Sequence, residues 1–100
     1  MTGSLLGEIE SRWRGMFAQL AAGGDVPPAA RLRTEGMMEA AIILEQSDEA
    51  QLLTVMERSY EAAFGTTIAA DFGEDWRDFY PFPQIPAMGR RAPVYPSTVD

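Results

Sequence analysis

Two pairs of glutamates stand at a spacing that brings carboxylates together on a helix: Glu35 with Glu39, and Glu57 with Glu61. Four carboxylates on neighbouring helices can hold a hard cation, and a pair of them can pass protons as acid and base. Helical-bundle metal sites of that kind add a histidine three residues from a glutamate, however, and this chain contains no histidine. On the helical wheels each pair falls on the polar arc, where like charges at this spacing repel mildly and are left to water. The spacing therefore predicts solvated faces, with no metal and no cofactor. A second acidic group, Asp71, Glu74, Asp75 and Asp78, lacks the alternating acids and mid-loop glycine of a calcium-binding hand and reads as a solvated loop.

Nucleophilic chemistry has little to draw on. Ser4, Ser11, Ser47, Ser59 and Ser97 have no histidine to activate them, and cysteine and lysine are absent. Gly23-Gly24 precedes a helix without the rest of a phosphate-binding loop, so it reads as a helix cap. The expectation is a protein that is not an enzyme.

The residues with binding character lie further on. Trp76-Arg77-Asp78-Phe79-Tyr80-Pro81-Phe82-Pro83 places four aromatic rings in seven positions. A soluble monomer cannot expose all four without a large apolar patch. Either they pin the following segment across the helices, or part of the cluster meets a partner, since aromatics and arginine dominate interface hot spots. Arg90-Arg91-Ala92-Pro93-Val94-Tyr95-Pro96 has the basic-x-x-Pro-x-x-Pro form that Src-homology-3 domains bind, and Pro83-Gln84-Ile85-Pro86 is another Pro-x-x-Pro. So short a pattern arises readily by chance. What it supports is a stiff arm with two cations and a tyrosine, suited to docking on another subunit or on the chain's own acidic third helix. Met38 and Ile42 point toward the more polar half of the second helix, as either a second core contact or an exposed apolar strip; with them the candidate partner-binding set is Met38, Ile42, Trp76, Phe79, Tyr80, Phe82, Arg90, Arg91 and Tyr95.

The elements that must position these residues follow from composition and periodicity. The chain has 100 residues, of which 46% are hydrophobic, which suits one globular core. All eight cations are arginine and asparagine is absent, as a GC-rich bacterial genome would produce. The net charge of −7 is concentrated between Ser47 and Tyr80, which carry a net −6, whereas residues 81–100 carry +1. That distribution leaves no basic footprint for nucleic acid and disfavours anionic membranes. No stretch approaches the apolar length of a membrane span or a signal peptide, so the cytoplasm is the expected compartment.

Leu6, Ile9, Trp13, Met16 and Leu20 repeat at helical spacing and predict a helix over 4–22, closed by Gly23-Gly24. Asp25-Val26-Pro27-Pro28 predicts the start of a second helix over 27–46, whose apolar half holds Leu32, Gly36, Met37, Ala40, Ala41, Ile43 and Leu44. Gly36 and Ala40 form a notch where a neighbouring helix can approach closely. Ser47 caps a third helix over 48–64, ended by Gly65, and the second and third helices are expected to form an antiparallel hairpin. A short fourth helix or turn falls near 67–80, with Thr66 or Thr67 as its cap. Prolines at 81, 83, 86, 93 and 96 then impose an extended arm, so the chain divides into a helical domain, 1–80, and a Pro-rich arm, 81–100, packed on the domain or on a partner.

The fold class is thus all-α, a small bundle with an extended tail. Three short helices leave apolar side chains over, so the expected function is a small acidic protein-interaction protein: an accessory subunit, assembly factor or regulator, with a protein partner for which a second copy of itself is one candidate. An acidic inhibitor or nucleic-acid-mimicking decoy for a basic protein is the first alternative, and a small-ligand binder or enzyme using a carboxylate acid/base pair the second.

Overall fold

Each helix starts and stops where a particular side chain or backbone conformation satisfies the end groups. The computed structural model describes residues 4–87. Ser4 accepts from the Gly7 N–H at 2.9 Å and opens α1, Leu5–Ala21. Gly23, at φ 94°, closes it: the Gly23 and Gly24 N–H groups return to the carbonyls of Leu20 and Gln19. Helix α2, Pro28–Ile43, has Pro27 at its cap, with no side-chain capping bond from Asp25. It ends earlier than its periodicity suggests. Glu45 takes the left-handed conformation (φ 57°), and the Glu45 and Gln46 N–H groups bond back to the carbonyls of Ile42 and Ala41. This is the closing turn that glycine usually supplies, here adopted by a glutamate.

Helix α3, Glu49–Phe64, is capped by Asp48, not Ser47: the Asp48 carboxylate accepts from the Gln51 N–H at 2.8 Å. The Ser47 hydroxyl bonds the Gln51 side chain instead. Asp48→Ala should therefore lower stability by about 1 kcal/mol in urea unfolding, and Ser47→Ala by clearly less. Equal losses would show that the cap is shared. Gly65 (φ 76°) ends α3, and Thr67 caps α4, Ile68–Phe72, by accepting from the Ala70 N–H at 3.0 Å. Gly73 separates α4 from the single turn α5, Trp76–Phe79. Among the described residues the fold is all-helical, as the periodicity predicts.

Packing departs from the expected hairpin. Helix α1 is the central element; it lies most extensively along α3 and also against α2, whereas α2 and α3 form no comparable pair of their own. The core is built from Ile9, Trp13, Met16 and Phe17 of α1, Met38 and Ala41 of α2, and Leu52, Leu53, Val55, Met56 and Tyr60 of α3. Ile68, Trp76, Ile85 and Ala87 complete it. Aromatic rings run through this core in sequence. Phe17 meets Tyr60 edge-on at 5.2 Å between centroids, Tyr60 meets Phe72 at 6.1 Å, and Phe72 meets Tyr80 at 5.7 Å. Such edge-to-face contacts add to the area that the rings bury. The Tyr60 hydroxyl donates to Asp71 at 2.6 Å, as does Thr66, which ties α4 to α3.

The side of α2 that faces inward is rotated away from the one read from its apolar wheel, keeping Ala41 in the core and Met37 at its edge. Met38 is fully buried and Ile42 half-buried, while Leu32, Ile43 and Leu44 are exposed. Glu35, expected on a solvated arc, is also inside, and its role in placing the helix is described next.

Candidate functional site

The turn of α2 that carries Glu35 receives the beginning of the C-terminal arm. Ile85 and Ala87 of that segment are buried, and Pro86 has almost no exposed surface. A backbone running between prolines cannot make a helical ladder, so any N–H it buries needs an outside acceptor. The Gln84 N–H turns back to the Pro81 carbonyl at 2.8 Å. The Ile85 N–H donates to Glu35 Oε2 at 2.9 Å, and Arg31, one helical turn earlier, donates to the same oxygen at 3.0 Å. Glu35 is therefore paired with a cation and hydrogen-bonded at once, the condition under which a carboxylate tolerates burial. The Thr34 hydroxyl, also buried, donates to the Ala30 carbonyl. With Thr34, Glu35 and Met38 inside, rotation about the helix axis leaves Leu32, Gly36 and Ile43 outside.

The aromatic cluster of the arm divides. Trp76 is buried, Tyr80 and Phe82 are half-buried, and Phe79 is 68% exposed. Most of the cluster thus covers the bundle, and Phe79 is the ring it leaves to solvent. Of the expected partner-binding residues, Met38 and Trp76 have become core and Phe79 is open. Arg90, Arg91 and Tyr95 lie outside the described residues. On the opposite end of α5, Arg77 pairs with Glu49 at the start of α3.

The apolar groups that do face solvent were expected in the core. Leu32 is 58% exposed, Ile43 77% and Leu44 59%. Leu32 and Ile43 share the outer face of α2 with Ala29, Gly36 and Ala40, and Leu44 continues it past the helix end. Among the described residues a β-carbon added at Gly36 would meet nothing within 4 Å, so their packing does not use the space that this glycine leaves. The sequence carries no local signal for this arrangement: Arg31 and Glu35 have the same four-residue spacing as the exposed pairs Glu8 with Arg12 and Glu10 with Arg14.

The remaining carboxylates stay apart. Glu39 is exposed on α2, and Glu57 and Glu61 are exposed on α3. Glu57 and Glu61 line a surface depression with Thr54, Arg58, Thr67 and Ile68. A second depression, between the end of α1 and the start of α2, is lined by Leu20, Val26, Pro27, Pro28 and Ala87, with Asp25 and Arg31 beside them. Among the described residues no three acids gather as a metal-holding group, and no helix is long and apolar enough to cross a membrane. No family model matches this chain, and no curated protein or solved structure gives a significant match.

Proposed function

We propose that this chain is a small, acidic, non-catalytic protein-interaction protein of the cytoplasm, an accessory subunit, assembly factor or regulator. Its binding surface is the outward face of α2. The observation that carries this reading is the exposure of Leu32 and Ile43, 58% and 77%, on one side of a helix whose opposite side already fills the core. Covering large aliphatic groups of that kind on a partner is favourable by roughly 25 cal/mol per Å² of apolar surface removed from water.

A photo-crosslinking side chain in place of Ile43 should give a discrete protein adduct in cells, and Leu32→Glu in the same chain should abolish it. The same group in place of Glu61 should give none. An adduct at position 61 alone would favour the acidic-decoy reading. No adduct at either position would end the interaction reading.

That second reading has an observation of its own. Glu57, Glu61, Glu74, Asp75 and Asp78 are exposed, and among the described residues none of them is in an ion pair. A basic protein steered to this surface would release itself steeply as salt rises, whereas a complex through α2 would not.

A further inference from the structure

The outer face of α2 has a feature that points to one occupant. Arg33 and Glu39 are both exposed, and among the described residues neither is in an ion pair. At 100° per residue they lie about 60° to either side of Gly36, one on each edge of the apolar strip. The strip is therefore neutral overall, with a cation along one edge and an anion along the other, although the chain as a whole carries −7. The acidic excess sits in the Ser47–Tyr80 segment, outside α2.

From this pattern we infer that the partner of α2 is a second copy of the same chain, its α2 aligned in the same direction about a two-fold axis that passes beside Gly36. The inference rests on the interaction reading above and names its partner. In a parallel pair, each copy's Arg33 edge meets the other copy's Glu39 edge. The six-residue offset corresponds to about 9 Å along the axis, a gap that a long arginine side chain and a glutamate can span between them. An antiparallel pair instead sets the Arg33 edge against the Arg33 edge and the Glu39 edge against the Glu39 edge. The charges thus select both self-association and its direction.

Gly36 supports the same arrangement. A glycine in an exposed helix interior weakens the helix relative to alanine, and among the described residues nothing uses its vacant space. At the crossing point of two helices that space lets the backbones approach, with Leu32 and Ile43 closing the contact above and below. Gly15 of α1 is equally open, but its neighbours one turn away, Ser11, Arg12, Ala18 and Gln19, supply no large apolar group.

The seam is short. A helix of 16 residues is about 24 Å long, so the contact falls at the low end of specific interfaces and the dimer is expected to be reversible, with micromolar affinity.

Sedimentation equilibrium on the full chain from about 5 to about 500 µM tests this. The expected result is a mass rising from one copy toward two. Ile43→Glu should hold the chain at one copy with an unchanged helical spectrum, since that side chain is largely exposed in the single copy. Arg33→Glu should weaken association by roughly fivefold, because it sets acid against acid on both edges, and Arg33→Glu with Glu39→Arg should restore it. Gly36→Ala should raise the unfolding temperature of the single copy while weakening the pair. A single copy at every concentration, or an Ile43→Glu variant that pairs like the parent, would overturn the proposal, as would an Arg33→Glu variant that pairs undiminished. The Ile43 crosslink separates the two levels of the argument: an adduct with a different protein removes self-association and leaves the interaction reading standing, whereas no adduct removes both.

Discussion

Trp13→Ala is expected to lower folding stability by about 3–5 kcal/mol, a large part of what holds a domain of this size together. Trp13 has no exposed surface and is among the largest side chains in the core, on the helix that touches both of the others. Truncation removes the apolar area of the indole and leaves a cavity that close-packed neighbours fill only in part. The indole Nε1–H adds an asymmetry, because it is buried and has no hydrogen-bond partner among the described residues. Trp13→Phe therefore loses volume but no bond, and relieves an unsatisfied polar group that costs free energy where it stands. Urea denaturation should place Trp13→Phe within about 1 kcal/mol of the parent, far from Trp13→Ala. If the two substitutions proved equally costly, the Nε1–H would be making a bond that matters.

Glu35→Ala is expected to cost about 3 kcal/mol, since it strands two groups at once. The Ile85 N–H would be left buried without an acceptor, and Arg31, whose side chain is 24% exposed, would lose its counter-charge. Glu35→Gln keeps an acceptor oxygen of the same reach and should recover the larger share of the loss. The segment around Ile85 supplies the more specific readout. In Glu35→Ala its amide should exchange with solvent faster than those of α1 and α3, because the strap detaches before the bundle opens. A strap that stayed as protected as α1 would show that apolar contacts of Ile85 and Pro86 hold it without the carboxylate. For a domain of this length, 3 kcal/mol corresponds to a fall of roughly 12–24 °C in unfolding temperature.

These two residues show how differently the core and its strap could be read in the sequence. Trp13 sits in a stripe, Leu6, Ile9, Trp13, Met16 and Leu20, that admits one helical face. The core position follows from the pattern. Glu35 belongs to a helix whose apolar residues are spread over nearly the whole circumference, so periodicity offers two faces and no means to choose. The wheel favours Leu32, Gly36, Met37, Ala40, Ala41, Ile43 and Leu44; the folded chain buries Thr34, Glu35, Met38 and, from that set, Ala41. Two of those four are polar, and each is admitted because a partner satisfies it: the Ala30 carbonyl for Thr34, and Arg31 with the Ile85 N–H for Glu35. The partner fifty residues away cannot be seen from spacing along one helix.

The outward face of α2 is hidden from periodicity for the same reason. Met38 and Ile42, lying off the richer apolar arc, leave two readings open, a second core contact or an exposed strip. Once α2 rotates to bring Glu35 inward, they turn in with it and the richer arc turns out. The aromatic residues of the arm are better placed by local chemistry. Prolines at 81, 83 and 86 end the helix, the chain must fold back or leave, and the rings nearest the bundle find the core.

By itself, the sequence determined that the described chain is helical, where three long helices begin and end within a few residues, and which face of α1 is buried. Those properties depend on caps, left-handed closing residues and period, all encoded within a turn or two of chain. The rotation of α2, the burial of Glu35 and the exposure of Leu32 and Ile43 were decided by tertiary structure alone. They depend on a hydrogen bond between segments distant in sequence, and on the high cost of leaving a buried N–H without an acceptor.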